Sequence, residues 1–464
     1  MMRAMVDINE IVETTVLKHW QLSELASVLS AQLKGNDVSF DSVSTDTRSI
    51  GQNALFIALV GPNFDGHDFV EAAQRLGAVA LLVSKEVESS LPQIIVKDTR
   101  LALGQFAAAW RAGFNIPVVG VTGSNGKTTV KEMIAAILGQ TSSVLMTQGN
   151  LNNDIGLPLT LLNMTSKHQY AVIEMGANHA GEIDYLTQIT KPDIAVITNA
   201  AAAHLEGFGS VEGVAHAKGE IFGGLSANGV GIINADDAYA DLWSGLLSRH
   251  KMICFGIEKD ADVTAIWQGD ARHSDVEIKV PGSEFKCVLP VPGKHNVMNA
   301  LVATAVATAL GLSVDQIRTG LESFQSVKGR LQTSIGFNDS VVIDDTYNAN
   351  PTSLSAAIDV LSSCGGERVL VLGDMGELGK DAQALHSRTI EYAIQKGIQQ
   401  IFTLGELTGA AIKSHPENGK NFDSAEQLVT ALRSLLDKNT TVLVKGSRFM
   451  HMERVVQALL ENNK

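Results

Sequence analysis

Residues 118–138 read VVGVTGSNGKTTVKEMIAAIL: an apolar run, a glycine-bearing loop, then Lys127, two threonines and an amphipathic helical pattern. Such a run is the signature of a buried strand. Strand, loop and helix N-terminus together aim backbone N–H groups and a positive dipole end at an anion, and Lys127 adds a point charge for phosphate oxygens. The candidate phosphate-binding residues are therefore Gly123, Ser124, Asn125, Gly126, Lys127, Thr128 and Thr129, with the Thr128 hydroxyl suited to Mg²⁺. The strict pattern GxxxxGK[ST] requires glycine at 121, where Val121 stands; the form present is TGSNGKTT. A chance Gly/Lys/Thr turn would lack this strand and helix, so the segment predicts nucleoside triphosphate binding in an α/β fold.

The surrounding chain repeats the rhythm. Apolar runs of four to six residues, each followed by a turn and a helical stretch, appear in IPVVGVTG, AVIEMG, IAVITN, GVGIIN and KMICFG. Buried parallel strands with crossover helices read this way. Residues 261–292 interrupt it with alternating, turn-rich sequence, expected to be an antiparallel edge; from Gly329 it resumes in VVIDDT, VLVLGDM, IFTLG and TVLVKGS. Before Ala112, LSELASVLSAQL reads as helix, while VSFDSVSTDTRSI and NALFIAL read as strands around a polar loop. Three domains are expected: a small N-terminal α/β unit over 1–112, a central P-loop-type parallel-sheet domain over 113–328 and a C-terminal Rossmann-like domain over 329–464.

A length of 464 residues fits several domains, and 45% hydrophobic positions suffice for real cores, which excludes wholesale disorder. Thirty-six basic against fifty acidic residues leave a net charge of −14, which argues against a nucleic-acid partner. Cys254, Cys287 and Cys364 form no CxxC pair, so neither a disulfide framework nor a zinc site is expected. The N-terminal stretch MMRAMVDINEIVETTV is interrupted by Asp7, Glu10 and Glu13, unlike a secretory signal, and Ala300–Leu312 is too short to span a bilayer. A soluble, cytoplasmic monomer is expected, without membrane insertion.

Further candidates sit where strands end. Glu174 follows AVI and His204 follows IAVITNAAAA, at the sheet edge where α/β folds bind ligands. With Thr128 they would serve divalent cations bridging ATP and an acceptor oxygen; alone, each reads equally as a solvated loop residue. Asn296 and Asn299 share a helix face and suit a nucleotide, although Asn296 also reads as a cap. Arg330, at a presumed domain junction, suits a γ-phosphate or an ordinary ion pair. Asp345 and Asn350 lie in VVIDDTYNANPTSL, which also reads as an Asx-rich turn, and Lys445 and Arg448 in KGSRFMHME suit an anionic acceptor.

In order and spacing, TGSNGKTT, Glu174, His204, Asn296 with Asn299, Arg330 and Asp345 resemble the signature of the Mur ligases, a family that includes the folylpolyglutamate synthetases. Four segments, STDTRSIGQNALFIALVGPNFDGHDF, TQGNLNNDIGLPLTLL, DDTYNANPTSLSAAID and LGDMGELG, look like the branch that joins D-alanyl-D-alanine to UDP-N-acetylmuramoyl-tripeptide in peptidoglycan precursor synthesis. The resemblance implies an ATP- and Mg²⁺-dependent ligase acting through an acyl phosphate. Lys127, Glu174, His204 and Arg330 would serve catalysis, and Thr45, Asp46 and Arg48 would hold the sugar nucleotide. Asn152 and Asn153 would lie along the muramoyl peptide. Lys218, by default a surface lysine, would be carbamylated and join Thr128, Glu174 and His204 at the metal. Rotation about junctions near Ala112 and Lys328 would close the site. A ligase of the same family with another acceptor, a P-loop switch or motor, and a binding module with a decayed site are the competing readings.

Overall fold

The computed structural model describes residues 20–270 and 272–460. The reading of the N-terminal stretch as no secretory signal falls outside them. The central sheet has six parallel strands in the order Val144–Met146, Tyr170–Glu174, Val118–Thr122, Ile194–Ile197, Val230–Asn234, Lys251–Phe255. Val118–Thr122 is first in sequence yet third in space: the chain then builds two strands on one side and three on the other. The crevice at its carboxyl end is a topological switch point, the place where open α/β sheets receive ligands. Both faces of this sheet are covered. Val119 and Val121 pack into one apolar cluster and Val118 into the other, which is why the strand reads as a continuous apolar run.

The C-terminal sheet is also six-stranded, ordered Gln332–Ile335, Val341–Asp345, Thr440–Lys445, Glu367–Gly373, Gln400–Leu404, Gly419–Phe422, with the first strand antiparallel and the rest parallel. In the N-terminal part a five-stranded mixed sheet has Ala78–Val83 at its centre. Each of the three parts has its own apolar clusters, so the α/β, three-domain expectation holds.

Two readings change. LSELASVLSAQL is helical only over Leu22–Val28; Ser30 takes a left-handed conformation, φ 48°, and Gln32–Lys34 pairs antiparallel with Gln93–Ile95. A tertiary strand partner there outweighs local helix propensity. Residues 264–289 are a separate three-stranded antiparallel sheet rather than an edge of the parallel one. Its inward residues Ala265, Val276, Ile278 and Cys287 join the central core cluster, which also holds most of the helix Lys294–Ala309. That helix is buried on nearly all sides, which accounts for the apolar Ala300–Leu312 stretch. No helix of the described residues is long and apolar enough to cross a membrane.

Candidate active site

The loop after Val118–Thr122 takes its shape from two glycines. Gly123 has φ 148°, and a Cβ there would lie 1.9 Å from Thr198 Oγ1; Gly126 has φ 82°, and its Cβ would lie 2.4 Å from Asn299 Oδ1. No side chain fits at either position. The next strand's end braces the loop: Ser124 N–H donates to Asn199 O (2.9 Å), Asn125 N–H to Asn199 Oδ1 (3.0 Å) and Thr198 Oγ1 to Asn125 O (2.6 Å). The helix Lys127–Leu138 starts directly behind it. Lys127 Nζ donates to Gly123 O (2.6 Å) and Ser124 O (3.4 Å). Burial holds its pKa below the usual lysine value, with Glu174 opposing and Arg330 adding to the shift.

Glu174 ends the strand beside the loop and is 2% exposed. Its carboxylate accepts from Thr128 Oγ1 (3.0 Å) and Asn152 Nδ2 (2.8 Å), while its N–H donates to Thr147 Oγ1 (2.9 Å). Thr147 O in turn accepts from the buried Lys131 ammonium at 2.5 Å. The Thr128 hydroxyl and Glu174 carboxylate are hard oxygen donors side by side at a phosphate loop. They fit Mg²⁺, which takes one or two protein oxygens and completes its shell with water and phosphate. Among the described residues no group of three or more His, Cys, Asp or Glu side chains is placed to hold a metal ion.

His204 and Glu377 meet across the cavity, Nδ1 against the carboxylate. Both are in left-handed conformations, φ 53° and 60°, which cost about 1–2 kcal/mol each for residues with a Cβ. Burial lowers the His204 pKa and the Glu377 carboxylate opposes that, while Lys127 and Lys218 lower it further. Lys218 is 2% exposed, its ammonium 5.5 Å from the Phe208 ring centroid. Burial, helped by the charge of Lys127, brings its pKa down to about 7. It is no surface lysine.

From the C-terminal part, outside its strands, come Arg330, Asn350, Glu377 and Arg448. Asn350 Nδ2 donates to Asn125 Oδ1 at 2.7 Å, tying the third domain to the phosphate loop. Arg330 lies over Tyr347, its guanidinium carbon 4.1 Å from the ring centroid. Lys445 departs from expectation. It is the last residue of its strand rather than part of a loop, it is 1% exposed, and its Nζ donates to Asp345 Oδ2 (2.5 Å) and Asn348 O (2.9 Å). Register makes Asp345 and Lys445 strand neighbours, so the ammonium neutralises that carboxylate instead of facing a free acceptor. Removing one member of a buried pair strands the other charge. Lys445→Met is expected to cost about 3–5 kcal/mol of stability, read from the denaturant midpoint, and an unchanged midpoint would contradict this assignment.

A cavity of about 1250 Å³ unites most of these groups: Ser124 to Thr128, Asn152, Asn153, Glu174, His204, Arg330, Asn350 and Arg448 all line it. A second, of about 200 Å³, is lined by Gly126, Thr129, Asn296, Asn299, Arg330, Asp345 and Lys445. Asn296 is not the helix cap; that position is Gly293, and Asn296 Nδ2 donates back to Pro292 O (2.8 Å) while its Oδ1 accepts from Asn299 Nδ2 (3.2 Å). Asn153 Oδ1 accepts from the N–H of Gly156 (2.9 Å), the first residue of the helix Gly156–Leu162. Thr45, Asp46, Arg48 and Lys218 line neither cavity. Arg48 projects into solvent, gripped by Asp46, whose pKa those hydrogen bonds lower to about 2. Sequence reasoning missed Glu377, although LGDMGELG was in view. It also missed Tyr347 and His295, the latter held neutral by burial that lowers its pKa to about 4.

Comparison with known proteins places this geometry. Residues 39–111 match the Mur ligase family, catalytic domain; 121–307 match the Mur ligase middle domain; and 329–448 match the Mur ligase, glutamate ligase domain. The Escherichia coli protein named UDP-N-acetylmuramoyl-tripeptide--D-alanyl-D-alanine ligase is 45% identical over 95% of this chain and 98% of its own. A crystal structure of MurF from Acinetobacter baumannii superposes with a TM-score of 0.92 at 36% identity, covering 97% of this chain and all of the other. The MurF ligase of Thermotoga maritima in complex with ADP superposes with a TM-score of 0.81 at 30% identity, over 90% and 96% of the two chains.

Proposed function

The chain belongs to the Mur ligase family, and on that premise we propose that it joins the terminal carboxylate of UDP-N-acetylmuramoyl-tripeptide to the amine of D-alanyl-D-alanine, converting ATP to ADP and phosphate. The observation that carries this is the large cavity, in which a phosphate loop, a carboxylate and a histidine meet an arginine from the C-terminal domain, in a chain 45% identical to a ligase of that name. A carboxylate and an amine do not condense in water because oxide is a poor leaving group. The carboxylate oxygen attacks the γ-phosphorus, the bond to the β-bridging oxygen breaks, and ADP leaves an acyl phosphate. The unprotonated amine then adds to the acyl carbon, its nitrogen gives up a proton, and the carbon–oxygen bond breaks so that phosphate departs with the former carboxylate oxygen and that proton.

Each residue's part follows from charge. Two anions must approach in the first step, so Lys127 and Arg330 screen them, and the loop N–H groups hold the phosphates. Thr128, Glu174 and His204 would hold Mg²⁺, which when bound neutralises phosphate oxygens. We read Lys218 as the fourth group there. Its pKa of about 7 leaves much of the amine unprotonated at neutral pH, so its nitrogen can add to CO₂, losing a proton and becoming an anionic carbamate that suits a cation. Asn296, Asn299 and Asp345, around the smaller cavity, would take the nucleoside, and Asn152, Asn153 and Arg448 the peptide parts. We assign residues 1–112 to the sugar nucleotide, 113–328 to ATP and 329–464 to the dipeptide, and the location to the cytoplasm, where these activated precursors are used.

The test is a reaction with ¹⁸O in the tripeptide's terminal carboxylate. One label should appear in inorganic phosphate as pentapeptide forms; product without transfer rules out the acyl phosphate. A dipeptide that fails where a single amino acid succeeds would move the chain to another branch of the family. Arg48→Ala is expected to raise KM for the UDP substrate about tenfold, the loss of one charge-assisted hydrogen bond, with KM for ATP unchanged. Equal effects on both would contradict the assignment of residues 1–112.

A further inference from the structure

Arg330 and Lys445 are handled oppositely by the fold. Lys445 is buried and neutralised by Asp345. Arg330 has no hydrogen-bond or ion-pair partner for its guanidinium among the described residues, and its Nε is buried without an acceptor. What holds it is a ring face, Tyr347 at 4.1 Å. The difference matters chemically. A carboxylate partner would both occupy the guanidinium donors and cancel the charge; an aromatic face attracts the cation through its quadrupole and leaves the N–H groups free.

The backbone is arranged to keep the two groups together. Gly329 and Leu331, on either side of Arg330, have φ of 73° and 53°. Tyr347 N–H donates to Gly329 O (3.1 Å), and Leu331 N–H donates to Asp345 Oδ1 (3.2 Å), so the segments on either side of Arg330 and before Tyr347 are laced to each other. A Cβ at Gly329 would stand 3.1 Å from Tyr347 N, so the two segments run close against each other there. Arg330 lines both cavities, and Tyr347 lines the larger.

We infer that Tyr347 is a positioning residue for the transfer step: its ring face holds Arg330 at the seam of the two cavities with its donors uncommitted, ready for a phosphoryl group whose charge is shifting. The inference rests on the reading of Arg330 given above. Tyr347→Leu removes the face, and Tyr347→Phe keeps it. The expected result for Tyr347→Leu is a fall in kcat of about tenfold, the range of a desolvated cation–π contact, with KM for ATP and the UDP substrate within about twofold and the melting temperature maintained. Tyr347→Phe restores kcat to within about twofold.

Added to Arg330→Ala, Tyr347→Leu should have no further effect, because the ring then has nothing to hold. A ¹H–¹⁵N spectrum of the arginine Nε–H groups, with Arg330→Ala supplying the assignment, gives a readout independent of turnover. The Arg330 signal should be ring-current shifted in the wild type and Tyr347→Phe and unshifted in Tyr347→Leu. Additive losses in the double variant, or an Arg330 signal indifferent to Tyr347→Leu, overturn the inference. Failure of the wild-type protein to form pentapeptide instead overturns the ligase reading, so the two failures are told apart.

Discussion

Lys127→Ala is expected to lower turnover by roughly 10³-fold, the upper range for losing one preorganised donor at a site of developing charge. The fold should survive. Lys127 is the first residue of its helix and, among the described residues, its ammonium bonds only to carbonyls of its own loop, Gly123 O and Ser124 O. Alanine is a better helix former than lysine, and the released carbonyls turn to water. The loop's shape depends on Gly123, Gly126 and the bonds from Thr198 and Asn199, none of which the substitution touches. The measurement is kcat with saturating UDP substrate and dipeptide, beside a melting curve. A stable variant retaining a tenth or more of wild-type turnover would remove the phosphate-loop argument.

Glu174→Gln is the second large effect, expected at more than about 10² in kcat, since a buried anion beside the transferring group is replaced by a neutral amide. The amide remains compatible with its neighbours. Its oxygen accepts from Asn152 Nδ2 and its nitrogen donates to the Thr128 hydroxyl, the two partners the carboxylate has now. Stability should therefore change little, while the Mg²⁺ concentration for half-maximal rate rises severalfold. A rate loss with an unmoved Mg²⁺ dependence would place the carboxylate's role elsewhere than at the metal.

The inner strands of the two six-stranded sheets were legible because burial on two faces demands unbroken apolar runs, and VVGVT, IAVIT and VVIDD carry that demand locally; the edge strands Val144–Met146, Gln332–Ile335 and Gly419–Phe422 lack it and were not read. The phosphate loop was legible for a similar reason: its chemistry is done by residues adjacent in sequence. Where the reading failed, the cause lay at a distance. Gln32–Lys34 became strand because Gln93–Ile95 is its partner. Lys445 looked like a free cation because Asp345 lies a hundred residues earlier, at a registered position on the neighbouring strand. Glu377 sits inside a quoted motif, yet its significance depends on His204, more than a hundred and fifty residues away. Arg330 and Tyr347 are nearer in sequence, but ring-to-guanidinium stacking follows from two left-handed residues flanking Arg330, a conformation no spacing rule anticipates for Leu331.

At rest, the ammonium of Lys127 leans on Gly123 O and Ser124 O. An anion that draws the ammonium away must compensate for these two bonds to neutral acceptors. A polyphosphate gains at several points at once. A ligand that reaches the loop N–H groups as well as the ammonium thus compensates for both carbonyl bonds that Lys127 gives up.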